Sequence, residues 1–139
     1  MARYNYFVGG FGDYYSEWFR NNISGAGYID IDQVSICINK PCWQPLAIVE
    51  TVYDTGNYNK YTTVVEYIAE KLGIPAYLVY YKPTAMDTNS LELKIMRLKP
   101  LKSVLEGVYE GDWAMEMIQL QEEHNKVCKH MVNRTRNNG

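Results

Sequence analysis

Residues 28–53 read YIDIDQVSICINKPCWQPLAIVETVY, and this stretch decides the fold. Two runs that are dense in Ile and Val, residues 28–38 and 45–53, predict two β-strands. The intervening Asn-Lys-Pro at 39–41 is typical of a turn, so the two strands form a β-hairpin. Both strands carry apolar residues on both faces, which predicts that they lie inside a sheet covered on two sides.

The segments around the hairpin predict a mixed α/β domain. Residues 13–22 and 59–72 place apolar side chains three and four positions apart, which predicts one helix before the hairpin and one after it. Gly73 stands where the C-cap of the second helix is expected, and residues 76–81 are strongly β-forming. Strand, helix and strand joined by short loops make a crossover unit, so the third strand is expected to lie parallel to the second.

The last third of the chain predicts one strand and a long helix. Residues 91–98 alternate in character like a fourth strand, a short helix is expected after Pro100, and residues 113–133 predict a long helix. The apolar stripe of that helix consists of Trp113, Met117, Leu120, His124, Val127 and Met131. This seam-like spacing predicts packing against the chain's own domain or a homodimer through the C-terminal helix.

Length and composition favour one domain that works in a reducing cytoplasm. The 139 residues fit a single domain, residues 1–139, with a core at about 13–98 and a helical extension at about 101–133. No apolar run approaches the roughly 20 residues of a membrane span, and the first residues lack the apolar segment of a signal peptide. Three Cys, an odd count, favour free thiols over a disulfide framework. The net charge of −2 argues against a basic nucleic-acid coat, but a metal ion can neutralise an acidic active site.

Three acidic residues on the hairpin form a candidate metal site. Asp30 and Asp32 stand two positions apart on one predicted strand and therefore point to the same side. Glu50 joins them if the residue numbers of each hairpin pair add to an even value, because directly opposed side chains lie about 5 Å apart. Carboxylates this close repel each other unless a hard cation such as Mg²⁺ or Mn²⁺ neutralises them. The alternative is that the acids lie at a sheet edge and pair with Lys or Arg.

The order of helix, acid-bearing hairpin, helix and strand over roughly residues 13–82 resembles the PD-(D/E)XK nuclease superfamily, which has the restriction-endonuclease-like fold. The stretches that carry the resemblance are YIDID at 28–32, LAIVETV at 46–52 and LGIPAYLVYY at 72–81. The resemblance implies a core of helix, β-hairpin, helix, strand and strand, here followed by the long C-terminal helix. It also implies a Mg²⁺- or Mn²⁺-dependent nuclease that hydrolyses DNA.

The resemblance also implies roles for individual residues. Asp32 and Glu50 would bind the metal ion and take part in catalysis, and Asp30 would be a supporting metal ligand. Glu17 on the first helix stands where some members of the family carry a helper acid. All four residues are therefore expected to belong to one active site.

The sequence departs from the family pattern at one catalytic position. The Lys of the Glu-x-Lys motif is replaced by Val52, which removes a charge that stabilises the transition state. Lys60, expected in the first turn of the second helix, could take over this role by reaching back toward Glu50, or it could be an ordinary solvated charge.

A second function stays open beside the nuclease. The chain could be a catalytically inactive nuclease-fold module that binds a protein or nucleic-acid partner through its Tyr-rich surface. The tyrosines expected on that surface include Tyr53, Tyr58 and Tyr80. A small acidic domain of either kind would suit a phage or accessory-element protein in a bacterial or phage-infected cytoplasm.

Cysteine and histidine residues offer a second candidate metal site. Cys37 and Cys42 flank the hairpin turn, and His124 and Cys128 stand four apart on one face of the last predicted helix. Three Cys and one His are a known ligand set for structural zinc. The set can assemble only if the last helix docks beside the hairpin tip, and the favoured alternative is that buried thiols simply pack.

Overall fold

The computed structural model describes residues 11–25, 29–84 and 87–131. The chain divides into two compact units, Met1–Asp30 and Ile31–Gly139. In the first unit, helix α1 spans Phe11–Asn22, so it begins slightly before the predicted start at residue 13. None of the helices in the described residues is long and apolar enough to span a membrane.

The second unit is a mixed α/β structure built on one five-stranded sheet. Its strands are β1 (Gln33–Ile36), β2 (Pro45–Tyr53), β3 (Ala76–Thr84), β4 (Asp87–Lys99) and β5 (Glu106–Val108). They lie in sequence order, with β2 and β3 parallel and the other neighbouring pairs antiparallel. Helix α2 (Thr63–Leu72) joins the parallel pair, and helix α3 (Glu110–Asn125) follows β5. The predicted crossover and the predicted C-terminal helix are therefore confirmed.

The two faces of the sheet form two separate parts of the core. On one face, Val65 and Ala69 of α2 pack against a cluster of buried sheet residues, which are Ile48, Ala76, Leu78, Tyr80 and Leu98. On the other face, Trp113, Met117 and Leu120 of α3 pack against a second cluster. That cluster consists of Ala47, Val49, Tyr77, Val79, Leu93 and Ile95. The first half of the apolar stripe of α3 thus packs on the chain's own sheet, which is one of the two predicted outcomes.

Helix α3 contacts the sheet through partly buried side chains. The ring of Tyr77 meets the ring of Trp113 edge-on, with 5.1 Å between centroids, and its hydroxyl donates a 2.7 Å hydrogen bond to Glu116. Burial, together with this carboxylate, raises the pKa of Tyr77 well above its usual range. No residue within α3 itself is fully buried. The helix therefore rests on the sheet without inserting deeply into the core.

The first strand of the hairpin is shorter and more exposed than predicted. β1 spans Gln33–Ile36 instead of residues 28–38, and it forms an edge of the sheet, where most of its side chains meet solvent. The β1–β2 ladder ends at Gln33. Beyond it, the backbone N–H of Thr51 donates to the side chain of Asp32 and not to a backbone carbonyl of the opposite strand. β2 is buried on both faces, as predicted. Tyr28 lies outside the described residues.

Helix α2 begins later than the predicted start at residue 59. The loop before it is held by Asp54, whose Oδ1 accepts hydrogen bonds from the N–H of Gly56 at 3.0 Å and from the hydroxyl of Tyr58 at 2.9 Å. These bonds keep the chain in a loop conformation and delay the helix. The prediction that Lys60 lies in the first helical turn is therefore wrong, because Lys60 belongs to this loop.

Three predictions for the C-terminal half are corrected in the same way. The predicted loop over residues 82–89 is mostly strand, because β3 and β4 extend into it from both sides. The short helix expected after Pro100 is replaced by β5, since its residues complete an antiparallel ladder with β4. Helix α3 ends at Asn125, and its predicted end at residue 133 lies outside the described residues.

Two leucines provide a test of the core on the α2 face. Leu98 is 2 % exposed, whereas Leu101 is 70 % exposed. Leu98→Ala is expected to lower the free energy of unfolding by about 2–5 kcal/mol, because it leaves a cavity among buried side chains. Leu101→Ala is the matched control and should change this free energy by no more than about 0.5 kcal/mol. Urea denaturation measures both values, and equal losses would contradict the burial of Leu98 in this core.

Candidate functional site

The register of the hairpin brings two of the predicted metal-binding acids together. Gln33 pairs with Val49, and the pairs from Gln33 to Ser35 have residue numbers that add to an even value, as the predicted acid site requires; the register shifts only at Ile36, near the turn. In this register Asp32 stands opposite Glu50 at the open end of the hairpin. Glu50 is 2 % exposed, whereas Asp32 is exposed to solvent. A buried carboxyl group on β2 therefore lies opposite an accessible carboxyl group on the residue that precedes β1.

Hydrogen bonds hold these two acids in place. The backbone N–H of Asp32 donates to Oε1 of Glu50 at 3.2 Å. In return, Oδ2 of Asp32 accepts hydrogen bonds from the backbone N–H and the hydroxyl of Thr51, at 2.9 and 3.3 Å. Each acid is thus bound to the neighbouring strand. Asp30 and Glu17, the other two predicted site acids, belong to the first unit, where both are exposed, and their roles stay predictions.

The position of the missing lysine lies on the sheet face that carries α2. Val52 packs against the cluster on this face, and the alternation of side chains along β2 places Glu50 on the same face. Val52 pairs with Tyr80 of β3, whose hydroxyl accepts a 3.4 Å hydrogen bond from the backbone N–H of Lys60. The loop that carries Lys60 therefore contacts the side chain of the β3 residue that is paired with Val52.

Three cysteines and one histidine meet where α3 ends beside the hairpin turn. The Sγ atoms of Cys37 and Cys128 lie 3.9 Å apart, and Sγ of Cys42 lies 3.5 Å from Nε2 of His124. All four ligating atoms lie within 4.8 Å of one another. Cys128 follows the end of α3 rather than lying on it, but the helix docks beside the hairpin tip as the zinc hypothesis requires. This cluster could hold a metal ion such as zinc.

Polar residues around the cluster bind its sulfur atoms and each other. The backbone N–H of Asn39 and the side-chain amide of Gln121 both donate to Sγ of Cys37, at 3.3 and 3.4 Å. The side-chain amide of Asn39 donates to Oδ1 of Asn125 at 2.9 Å, and the backbone N–H of Ile38 donates to Oε1 of Gln121 at 3.0 Å. These bonds orient the cluster and join the hairpin turn to α3.

The thiols of the cluster differ in acidity. A hydrogen bond from Asn39 outweighs the effect of burial and lowers the pKa of Cys128 to about 6. The backbone hydrogen bond of Gln44 lowers the pKa of Cys42, but burial and the thiols of Cys37 and Cys128 outweigh it and leave this pKa above its usual range. The lowered pKa of Cys128 favours its thiolate, which is the form that metal ions bind.

The polar residues that support this cluster were not predicted from the sequence. Gln121 and Asn125 stand four apart, so they share a helix face, and Asn125 directly follows His124. This spacing could have indicated that the two amides support a metal site, since hydrogen-bonding side chains commonly surround metal ligands. Asn39 gave no such signal, because its neighbours in the sequence indicate only a turn.

No family model, no curated protein and no solved structure matches this chain. Its function therefore has to be inferred from its own residues.

Removing the side chain of Asp32 tests whether it holds the open end of the hairpin. Asp32→Ala takes away the acceptor of both Thr51 donors and is expected to cost about 1 kcal/mol of unfolding free energy, a modest value because the site is exposed. Asp32→Asn keeps an acceptor oxygen and should cost less. Denaturation in urea compares the two variants, and an equal loss in both would show that the charge, not the hydrogen bond, matters.

Proposed function

We propose that this chain is a metal-dependent nuclease that hydrolyses DNA phosphodiester bonds in a reducing cytoplasm, with a restriction-endonuclease-like core in its second unit. The observation that carries the proposal is the pair formed by Asp32 and Glu50 at the end of the hairpin. A carboxyl group in a buried strand is costly unless it is hydrogen-bonded, paired or bound to a metal ion. Such a group beside an accessible carboxylate favours a metal site over two unrelated surface acids.

The order of the strands supports a core of this kind. The hairpin of β1 and β2, the crossover through α2 and the parallel strand β3 are the elements that the family resemblance implies. In that arrangement the acids come from two adjacent strands. Asp32 and Glu50 meet this condition in the register that the hairpin adopts.

The donor atoms of the acid pair suit a hard cation. Mg²⁺ and Mn²⁺ prefer carboxylate oxygens and keep several water ligands. Among the described residues, Oδ1 of Asp32 accepts no hydrogen bond, and this side chain is open to solvent and substrate. An ion bound here would polarise a phosphoryl oxygen and lower the pKa of a bound water. Asp32 and Glu50 would hold that ion.

Lys60 supplies the positive charge that Val52 lacks. Its backbone N–H donates to the hydroxyl of Tyr80, the β3 residue paired with Val52, so the loop that carries Lys60 lies on the sheet face to which Tyr80 and Val52 point. No ion pair of Lys60 occurs among the described residues. A lysine without a partner can stabilise the negative charge that develops on the attacked phosphate.

One observation favours the non-catalytic binding module as a second candidate. With Val52 in place of the lysine, the acids would lie in a nuclease fold without its chemistry. Exposed tyrosines near the end of β2 could then provide stacking surfaces for nucleic-acid bases. Tyr53 is 54 % exposed and Tyr61 is 89 % exposed, whereas Tyr80, predicted on the surface, is buried in the core.

Lys60→Ala separates the two candidates. In the nuclease, this variant should lower turnover by about 10²-fold, the usual effect of losing one electrostatic stabiliser, with little change in DNA affinity. The assay incubates labelled single-stranded, duplex and branched DNA with the protein in Mg²⁺ or Mn²⁺. Lys71→Ala is the matched control, because Lys71 is an exposed lysine on α2 whose ammonium group lies over the ring of Tyr67.

Two results of this assay would contradict the nuclease. Absence of metal-dependent cleavage of all three substrates at high protein concentration would leave the binding module as the function. Cleavage that survives Glu50→Gln at full rate would mean that the acid pair is not the active site.

Manganese should stabilise the folded chain through the same acids. The Cys/His cluster is first saturated with zinc, so that the measurement reports the carboxylates alone. At a concentration of about one hundred times its Kd, Mn²⁺ would add about 2.7 kcal/mol to the unfolding free energy and raise the Tm accordingly. Glu50→Gln should abolish this shift, whereas Glu106→Gln, the same change at an exposed acid of β5, should keep it. A full shift in Glu50→Gln would place the bound manganese elsewhere.

A further inference from the structure

We propose that Cys37, Cys42, His124 and Cys128 bind one zinc ion in tetrahedral geometry, and that this ion fixes the C-terminal end of α3 to the tip of the hairpin. The proposal does not depend on the nuclease activity, because the cluster and the acid pair lie at opposite ends of the same hairpin. It assigns a structural metal site to the chain.

The distances between the ligating atoms agree with tetrahedral zinc. Zinc binds sulfur at about 2.3 Å and nitrogen at about 2.0–2.1 Å, so a regular tetrahedron separates two sulfur atoms by about 3.8 Å and sulfur from nitrogen by about 3.6 Å. The corresponding distances here are 3.9 Å from Cys37 to Cys128 and 3.5 Å from Cys42 to His124. These two distances match tetrahedral zinc, and all four ligating atoms lie within 4.8 Å of one another.

The donor set selects zinc and gives it a structural role. Thiolate and imidazole donors prefer zinc to Mg²⁺ or Mn²⁺, which bind oxygen ligands. Four protein donors fill a tetrahedral site, so no position is left for a water or a substrate. A disulfide between Cys37 and Cys128 would need the sulfur atoms at about 2.05 Å and would leave Cys42 unpaired. The 3.9 Å separation fits two ligands of one ion instead.

The hairpin turn presents its two cysteines in a fixed conformation. A 2.8 Å bond from the N–H of Cys37 to the carbonyl of Gln44 and a 2.7 Å bond from the N–H of Cys42 to the carbonyl of Asn39 close the loop. Trp43, directly after Cys42, adopts φ 51°, in the left-handed region that L-residues other than Gly, Asn and Asp rarely adopt. Strained residues of this kind cluster at binding sites, where the surrounding structure holds them.

Bonds to the sulfur atoms complete the environment of a zinc site. Thiolates bound to zinc carry negative charge, and N–H donors reduce that charge. Cys37 accepts such bonds from Asn39 and Gln121, one on the hairpin turn and one on α3. The same two elements that supply the ligands therefore also supply the supporting donors.

The C-terminal end of helix α3 has few apolar contacts with the sheet. The contacts of α3 with the sheet come from Trp113, Met117 and Leu120, all in its first three turns and none of them fully buried. Beyond Leu120, the chain meets the hairpin through the cluster and its amides. Val127 next to the cluster is 77 % exposed, so apolar packing does not hold this end. An ion that binds two hairpin residues and two residues near the helix end would strengthen the attachment that the hydrogen bonds of Gln121 and Asn125 begin.

The test measures the zinc content of the full chain. The protein is purified with zinc, dialysed and analysed for metal by elemental mass spectrometry and native mass spectrometry. One zinc per chain is expected in the unaltered protein and in His130→Ala, the matched control, since His130 is the second of the two histidines in the sequence. His124→Ala should retain less than about one tenth of the zinc, and His124→Cys, which restores a fourth donor, should keep it.

Two further readouts do not depend on the folding of a variant. All three cysteines of the chain belong to the cluster, so every thiol should resist alkylation with zinc bound and react after chelation. Chelation should also increase amide hydrogen exchange by at least about tenfold in residues 120–128, with little change in α2, if the ion holds this end of the helix.

Three outcomes would overturn the proposal. Less than about one tenth of a zinc ion per chain after purification with zinc would remove the site. Equal alkylation of the thiols with and without zinc would mean that they are not ligands. Unchanged hydrogen exchange in residues 120–128 after complete loss of zinc would remove the structural role. None of these measurements uses nuclease activity, so they test the zinc site independently of the proposed function.

Discussion

The pairing register of the β1–β2 hairpin is the constraint on which both candidate sites depend. With Gln33 opposite Val49, Asp32 and Glu50 meet at the open end, while Cys37 and Cys42 flank the turn at the other end. A slip of one residue would turn the side chains of β1 to the opposite faces of the sheet. The hydrogen bonds of Asp32 with Glu50 and Thr51 oppose such a slip, because they form only in this register.

The two candidate sites contain donors of opposite chemical character. The acid pair offers carboxylate oxygens, which suit hard cations, and the cluster offers thiols and an imidazole, which suit zinc. If both proposals hold, the chain would bind two kinds of metal ion without direct competition between them. The hairpin would then carry a reactive site at one end and be anchored at the other.

The anchor matters because the sheet leaves β1 exposed. β1 forms an edge of the sheet, and Val34 and Ile36 are each 42 % exposed. The strand is held by β2 on one side and, at its end, by the bonds that Gln121 and Asn125 make with the hairpin turn. Contacts between α3 and the turn therefore stabilise the element that positions Asp32.

The sequence by itself determined the elements whose signals are local. Gly73, with φ 69°, ends α2 where the sequence predicts a cap, and strand–helix–strand spacing predicts the parallel pairing of β2 and β3. Tertiary structure alone decided what depends on distant contacts. β1 is an edge strand because, among the described residues, no strand lies beyond it, and Lys60 lies in a loop because Asp54 holds that loop. The Cys and His residues were visible in the sequence, but only the docking of α3 brings them within bonding distance of one ion. The two cysteines of the hairpin lie 82 to 91 residues before His124 and Cys128 along the chain.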